Sequence, residues 1–189
     1  QLWLGGSNQI SDLSALANLT NLTELHVESA DLSALSNLTN LTKLYVHYSG
    51  WCDISALSNL TNLTELRLIN TGPVSSINIS VLSDLTNLVR LDLWHTLIGD
   101  FTPLSNLMSL TELDLMGNRI SDITPLSNLT NLTTLNLQQN QIKGDISALS
   151  NLTNLIQLGL HNNQLTASAG PIIQALKDGG TDVQHDEIP

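Results

Sequence analysis

The side chains with the most obvious chemical potential are a few acids and histidines in the first half of the chain. Asp92 and His95 could serve as the acid and base of a hydrolytic centre, but no serine or cysteine nucleophile accompanies them in a recognisable motif. Glu28, His47 and His26 could ligate a metal, yet the dense cysteine and histidine spacing typical of metal centres is missing. We therefore expect a protein that is not an enzyme and that has no cofactor and no metal site.

Aromatic residues are scarce and clustered. The chain of 189 residues has only six, and three of them, Tyr45, Tyr48 and Trp51, lie in the stretch LYVHYSGW at 44–51 with His47 between them. Rings exposed on neighbouring strands leave apolar area in contact with water, which usually marks a contact surface. Tyr and Trp are also among the side chains that dominate binding hot spots. The direction in which each ring points therefore decides whether this stretch is a binding site.

Composition limits the possible partners. Seventeen acids against six bases give a net charge of −11, which disfavours nucleic acid, whose phosphates are neutralised by Lys and Arg. No apolar run approaches the roughly 18 residues that suggest a membrane span. The single cysteine, Cys52, excludes an internal disulfide, and we interpret it as an incidental thiol. We expect no nucleic-acid partner, no membrane insertion and a monomer.

Repeats must position these side chains. The segments ISALSNLTNLTEL (54–66), ITPLSNLTNLTTL (123–135) and ISALSNLTNLIQL (146–158) are near copies of one another. Alignment on the pair L-x-[L/V] gives spacings of 23, 19, 22, 25, 22, 22 and 23 residues. The eight predicted strand positions are Leu2, Leu25, Leu44, Leu66, Leu91, Leu113, Leu135 and Leu158.

Two hydrophobic periods alternate within each repeat. The pair Leu113 and Leu115 has a period of two, as a short strand requires. The series Ile54, Leu57, Leu60, Leu63 and Leu66 has a period of three, which matches a 3₁₀ helix better than an α-helix. One such unit cannot enclose its own leucines, so the pattern predicts a stack of units that bury them together.

This pattern resembles the leucine-rich repeat, and its 22-residue form resembles the internalins of Gram-positive bacterial surfaces. The segment LDLMGNRISDITPLSNLTNLT (113–133) carries the resemblance most clearly, and the resemblance covers about residues 1–166. It implies an α/β fold: a right-handed, horseshoe-shaped solenoid with a parallel sheet on its concave face and 3₁₀ or irregular returns on its convex face. It also implies a protein partner, with a role in adhesion or in host or cell-surface interaction.

The two halves of the array depart from this family pattern to different degrees. The family places an asparagine five residues after the first strand leucine, where its side chain satisfies backbone groups of the turn. Asn118, Asn140 and Asn163 keep it. The earlier repeats carry Ser7, Ala30, Ser49, Thr71 and Thr96. We therefore expect the first half to be less regular, and residues 113–165 to be the more stable part.

The two ends of the chain suggest a division into an array and a cap. Residues 1–166 form the predicted array of about eight repeats, whose amino end we expect to be truncated within a repeat. In AGPIIQALKDGG (169–180), Pro171 suits a first helical turn and the glycines suit its end. The apolar stripe of this helix would be Ile172, Ile173 and Leu176. We expect residues 167–189 to form a C-terminal capping helix and an edge strand around Val183.

Strand alternation assigns the candidate ligand-binding residues. Because the consensus leucines face the core, the residues between and after them are predicted to face the concave surface. The candidates are Trp3, His26, Tyr45, His47, Tyr48, Arg67, Asp92, Trp94, His95, Asp114 and Met116. Trp51 instead takes the position of later isoleucines and is predicted to lie in the core or a turn. The residues of alternating charge before each strand are interpreted as a structural ion-pair ladder, which could still orient a charged ligand: Glu24, Lys43, Glu65, Arg90 and Glu112.

The leading functional hypothesis is a non-catalytic recognition module that binds a protein ligand on its concave face, as a secreted or cell-surface bacterial protein. A carbohydrate-binding surface protein is an alternative, because Trp, Tyr and His rings can stack on sugars. An intracellular scaffold of the phosphatase-regulator type, which would be cytoplasmic, is another alternative. A structural spacer whose concave face binds nothing is the fourth.

Overall fold

Parallel strands and short helical returns alternate along the chain. The computed structural model describes residues 1–4, 12–28, 31–48, 52–70 and 77–188. Within these residues, nine strands form one parallel sheet in chain order. The strands are β1 Leu2–Leu4, β2 Glu24–Glu28, β3 Lys43–Tyr48, β4 Glu65–Asn70, β5 Arg90–Asp92, β6 Glu112–Asp114, β7 Thr134–Asn136, β8 Gln157–Gly159 and β9 Asp182–Gln184. The predicted solenoid with a parallel sheet is confirmed.

The consensus leucines set the register of the sheet. Leu2 pairs with Leu25, and each later strand leucine pairs with its equivalent in the next strand. All eight predicted strand positions are therefore confirmed. Because equivalent residues lie side by side, any side chain that recurs at one position of the repeat forms a row across the sheet.

The returns are 3₁₀ helices, as the period of three predicts. In the second return, the backbone N–H groups of Leu35, Leu38 and Leu41 each donate to the carbonyl three residues earlier, all at 2.9 Å. Three residues per turn brings these leucines to the same inward edge. The 3₁₀ helices span Ser14–Leu16, Ser33–Asn37, Ser55–Asn59, Ser80–Asp84, Thr102–Leu104, Thr124–Asn128, Ser147–Asn151 and Ala167–Ala169.

The core lies between the sheet and the returns. Leu60 and Leu129, from two different returns, are both fully buried, and so is Leu115 from the inner face of the sheet. A fully buried leucine stabilises the fold by about 1.5–3 kcal/mol relative to an exposed one. The buried residues of successive repeats form one continuous core along the stack, because a single repeat has too few leucines to enclose them by itself.

An internal asparagine ladder runs through the carboxyl half. The side chain of Asn140 donates to the carbonyls of Leu115 (2.9 Å) and Leu137 (3.1 Å) and accepts from the amide of Ile120 (3.0 Å). Asn118 makes equivalent bonds one repeat earlier. Each asparagine thus links its own turn to the neighbouring repeat. We call the set Asn118, Asn140 and Asn163 the asparagine ladder.

The earlier positions of this ladder are only partly described. Thr96 is fully buried, with its hydroxyl 3.0 Å from the carbonyl of Leu93 and 3.1 Å from the side-chain oxygen of Asn118. Residues 7, 30, 49 and 71 lie outside the described residues. Thr96 therefore joins the ladder at its amino end with a shorter side chain that bridges fewer groups.

Carboxylates stabilise the starts of the 3₁₀ helices. The side chain of Asp31 accepts from the backbone N–H of Ser33 at 3.0 Å, which satisfies one of the donors that every helix start leaves unpaired. Asn78 makes the same bond to Ser80 with its amide oxygen, so the bond requires no charge. Equivalent bonds come from Asp12, Asp53, Asp100, Asp122 and Asp145.

The last repeat is followed by an α-helix and an edge strand. Helix α1 spans Gly170–Asp178, with Pro171 in its first turn and Ile173 and Leu176 buried. It packs against the 3₁₀ helix Ser147–Asn151 and against β9, which pairs with β8. Across the described part of the chain, no helix has the length and apolar character needed to span a bilayer.

Candidate functional site

Three rings stack across the first strands on the outer face of the sheet. Trp3, His26 and Tyr45 are partners in the register of β1, β2 and β3. The centroids of Trp3 and His26 lie 3.9 Å apart with planes at 17°, and those of His26 and Tyr45 lie 4.2 Å apart at 19°. Neighbouring strands are about 4.8 Å apart, so rings in register on one face come within stacking distance. We call these three residues the ring ladder.

A cation continues the ring ladder onto β4. The guanidinium carbon of Arg67 lies 6.0 Å from the centroid of the Tyr45 ring, at the outer limit of a cation–π contact. Arg67 also forms an ion pair with Asp92 on β5 at 3.2 Å. One row of side chains thus joins five neighbouring strands through ring stacking and charge.

A charge ladder runs beside the rings. Glu65 accepts from the hydroxyl of Tyr45 at 2.7 Å and pairs with Lys43 at 2.8 Å and with Arg90 at 2.7 Å. Arg90 also reaches Glu112 at 2.9 Å. Partial burial alone would raise the pKa of Glu65, but hydrogen bonds from Lys43 and Tyr45 and the nearby cations outweigh it and lower the pKa. Burial and the Glu65 carboxylate raise the pKa of Tyr45 to about 12, so its hydroxyl keeps its proton and donates.

A depression of about 400 Å³ lies on the outer face between β3 and β7. Its lining extends from Tyr45 on β3 to Asn136 on β7 and includes Asp92 and Asp114. The two aspartates are register partners on β5 and β6. Burial and the charge of Asp114 raise the pKa of Asp92. The depression therefore holds two neighbouring carboxylates, of which Asp92 already has a cation.

Backbone bonds fix both aspartates. Asp92 accepts from the amide of Trp94 at 3.1 Å, and Asp114 accepts from the amide of Met116 at 2.9 Å. The second carboxylate oxygen of Asp114 accepts from the side-chain amide of Asn136 at 3.0 Å. These bonds hold both carboxylates in defined positions at the ends of their strands.

The prediction that Tyr48 faces the concave surface is wrong. Tyr48 is only 3% exposed and belongs to the core. Strand β3 stays extended for six residues, so strand alternation continues beyond the second consensus residue. Strand alternation then places Tyr48 on the inner face with Leu44 and Val46. Its register partner on β4, Asn70, is buried for the same reason.

The remaining candidates lie outside the ring ladder. His47 is exposed on the outer face, and Met116 is half-buried. Trp94 and His95 form an edge-to-face pair with centroids 4.7 Å apart. The His95 ring covers Gly117, where a β-carbon would lie 2.3 Å from it. Trp51 lies outside the described residues.

The part of the chain that the structure describes has neither a cluster of potential metal ligands nor an accessible thiol. No group of three or more histidine, cysteine, aspartate or glutamate side chains there could hold a metal ion. Cys52 is 2% exposed, and burial raises the pKa of its thiol to about 12. A buried, protonated thiol is a poor nucleophile and a poor metal ligand.

Glu65 and Asn136 also line the depression, although they are not among the candidate ligand-binding residues. Glu65 belongs to the row of alternating charge that is interpreted above as an ion-pair ladder, and it also accepts from the hydroxyl of Tyr45 and pairs with two cations. The alternating charge of its row was the available signal. Asn136 occupies the same repeat position as Asp92 and Asp114, so alignment of the repeats places it beside them.

Comparison with known proteins agrees with this architecture. Three overlapping segments match the family described as leucine-rich repeats (2 copies): residues 86–128, 109–143 and 130–171. An internalin (inlF) from Listeria monocytogenes is 34% identical with a TM-score of 0.70, over 95% of this chain and 61% of that one. Internalin C2 (inlC2) from the same species is 29% identical with a TM-score of 0.74, over 91% of this chain and 76% of that one. No curated protein sequence matches significantly.

A plant receptor has a similar fold. The leucine-rich repeat ectodomain of the Arabidopsis receptor kinase HAESA, solved with an IDA peptide hormone, is 28% identical with a TM-score of 0.74. The similarity covers 92% of this chain and 31% of the receptor chain. The repeats, the sheet and the asparagine ladder define a leucine-rich repeat protein. This chain is a leucine-rich repeat protein with structural similarity to Listeria internalins.

Proposed function

We propose that the chain is a non-catalytic recognition module that binds a peptide or protein ligand on the outer face of its sheet. The ring ladder is the observation that carries this proposal. Its side chains are held in place by one another and by Glu65, so binding would cost little additional ordering. Rigid aromatic residues on an exposed face supply large contact area at low entropic cost.

The stacking favours a peptide over a sugar. A pyranose needs an open ring face, but both faces of His26 are covered by Trp3 and Tyr45. Tyr45 has His26 on one face and Arg67 near its centroid. His26 and Tyr45 therefore present mainly ring edges and polar atoms, which suit the mixed apolar and hydrogen-bonding surface of a polypeptide.

The similarity to Listeria internalins supports a role at a bacterial cell surface or in secreted form, in adhesion or in interaction with another cell. The similarity to a peptide-hormone receptor ectodomain supports a polypeptide ligand. A solvent-exposed sheet face gives no means to exclude water from a reaction, so the proposal contains no catalytic step.

Selection from a random dodecapeptide library displayed on phage tests this function. We expect peptides that bind the protein and lose about thirtyfold in affinity, or about 2 kcal/mol, with Tyr45→Ala. Met108→Ala is the matched control, because it removes an exposed apolar side chain (54% exposed) from a return rather than from the outer face. Selected peptides that bind Tyr45→Ala and Trp3→Ala as tightly as the parent protein would refute the proposal. A glycan array on which the parent protein binds through the same rings would favour the carbohydrate alternative.

A further inference from the structure

We propose that the depression between β3 and β7 receives a lysine or arginine side chain of the ligand, with Asp114 as its counter-charge. This inference rests on the proposed function, because it specifies the chemistry of the polypeptide that the outer face binds. Four observations favour a cationic side chain: the pairing of the bases, the excess of acids, the environment of Asp114 and the shape of the depression.

The bases around this surface already have partners. Lys43 pairs with Glu65, Arg67 with Asp92, and Arg90 with both Glu65 and Glu112. An anionic ligand group would have to compete with a carboxylate for each of these cations. The surface is therefore poorly suited to an acidic ligand.

Acids outnumber bases where the depression lies. Its lining includes the four acids Glu65, Asp92, Glu112 and Asp114 against the two bases Arg67 and Arg90, which leaves a formal charge of −2 (two minus four). The whole chain has a net charge of −11, so long-range attraction also favours a basic partner.

Asp114 differs from the other acids of the depression. Asp92, Glu65 and Glu112 each lie within 3.2 Å of an arginine or lysine nitrogen. No such ion pair involves Asp114 in the part of the chain that the structure describes. Its oxygens accept from the backbone amide of Met116 and from Asn136, and a carboxylate has acceptor capacity for further donors.

A cation at Asp114 would also relieve a repulsion. Asp92 and Asp114 are directly opposed on neighbouring strands, an arrangement that is unfavourable for like charges. Arg67 compensates Asp92 from the β4 side. A ligand ammonium or guanidinium on the side of Asp114 would complete an alternating row of charges across β4, β5 and β6. The depression of about 400 Å³ can accommodate one long side chain there.

A double-mutant cycle tests the inference on the dodecapeptides selected above. We expect these peptides to be enriched in Lys and Arg relative to the unselected library. Asp114→Asn should weaken their binding about tenfold or more, because a hydrogen bond to a charged group is stronger than one between neutral groups. Replacement of the peptide base by Gln should cause a similar loss, and the two changes together should cost no more than either alone.

The chain provides both a precedent and a control for this variant. Asn136 occupies the equivalent position on β7, and its side-chain oxygen accepts from the amide of Gln138 as Asp114 does from Met116, so asparagine preserves the turn. Asp84→Asn removes the same charge from an exposed position in a return and should leave affinity unchanged.

The outcomes separate this inference from the proposed function. Peptides that depend on Tyr45 but have no enrichment in bases, or that bind Asp114→Asn as tightly as the parent protein, would overturn the inference and leave the recognition function intact. Additive losses in the cycle would also overturn it, because the base would then bind elsewhere. Failure to select any peptide that depends on Tyr45 would overturn both.

Discussion

The two halves of the array use the same repeat position in opposite ways. At the fourth residue after the strand leucine, Tyr48 and Asn70 continue an extended strand and point into the core. The equivalent residues of the next four repeats have left-handed backbone with φ between 54° and 71°: His95, Gly117, Gln139 and Asn162. That left-handed turn directs the following side chain inward, where the asparagine ladder forms. Tyr48 and Asn70 instead extend β3 and β4 to six residues each.

This difference separates the candidate site from the regular scaffold. The ring ladder lies on β1, β2 and β3, and the asparagine ladder follows β6, β7 and β8. Repeats with the left-handed turn gain buried hydrogen bonds between neighbours, whereas β1, β2 and β3 present rings on the outer face of the sheet. The two regions meet at β5, where Thr96 bonds to Asn118 and Asp92 binds Arg67.

The largest expected effect distinguishes the two tyrosines of β3. Tyr48→Ala should destabilise the protein by about 3–5 kcal/mol, the range for buried aromatic residues and similar to Leu129→Ala. Tyr45→Ala should cost much less, because this ring lies on the outer face. Urea denaturation of the three variants measures both effects. Equal losses in the free energy of unfolding for Tyr45→Ala and Tyr48→Ala would show that the outer rings are part of the core.

The asparagine ladder should give the next largest effect. Asn140→Ala leaves the buried amide of Ile120 without its acceptor and removes one of the two side-chain donors to the carbonyl of Leu115, which should cost about 1–3 kcal/mol. Asn128→Ala removes the same side chain from an exposed position at the end of a 3₁₀ helix and should change stability by less than about 0.5 kcal/mol. If the free energies of unfolding of the two variants agree, the ladder is not what distinguishes the carboxyl half.

The smallest effect concerns pH. Backbone and side-chain hydrogen bonds from Thr102, Thr124 or Ser147 lower the pKa of the aspartate two residues before each. A lowered folded-state pKa means that the stabilisation is complete above the ordinary aspartate value of about 3.9 and is lost as pH falls through the folded pKa. Replacement of Asp100, Asp122 and Asp145 by Asn should therefore make stability less dependent on pH below about 4.

Asn78 is the natural precedent for this triple variant, because it makes the same bond without a titrating group. Thermal unfolding between pH 5 and pH 2 provides the measurement. If the melting temperature falls with decreasing pH equally steeply in the triple variant and in the parent protein, these carboxylates contribute nothing specific to acid sensitivity.

The sequence predicts most of this fold because leucine periodicity is strict. A period of two followed by a period of three locates each strand and return, and the pairs Leu2 with Leu25 and Leu135 with Leu158 form as aligned. Burial of Leu60 and Leu129 follows from the same pattern. These features depend on residues that every repeat shares.

Tyr48 shows where periodicity is insufficient. Residue type alone does not decide whether the backbone turns at this position, since His95 and Gln139 adopt the left-handed conformation without being glycine. Whether the strand continues depends on the repeats on either side and on the residue that follows. In the carboxyl half that residue is the inward-bonding Asn118 or Asn140.

The outer face is only partly predictable for a related reason. Alternation assigns Trp3, His26 and Tyr45 to one surface, but their mutual stacking depends on side-chain rotamers and on the register of three strands. The bond from Tyr45 to Glu65 crosses to a residue outside the predicted site. Such contacts are set by three-dimensional neighbours rather than by spacing along the chain.

Amide hydrogen exchange of the protein measures the difference between the two halves most directly. Stability in a repeat array is approximately a sum of local and nearest-neighbour contributions, so the uniform, asparagine-linked repeats should open least often. We predict that the slowest-exchanging amides lie within residues 113–165. Slowest exchange within residues 1–60 would contradict the account, because the region that carries the ring ladder would then also be the most stable part of the scaffold.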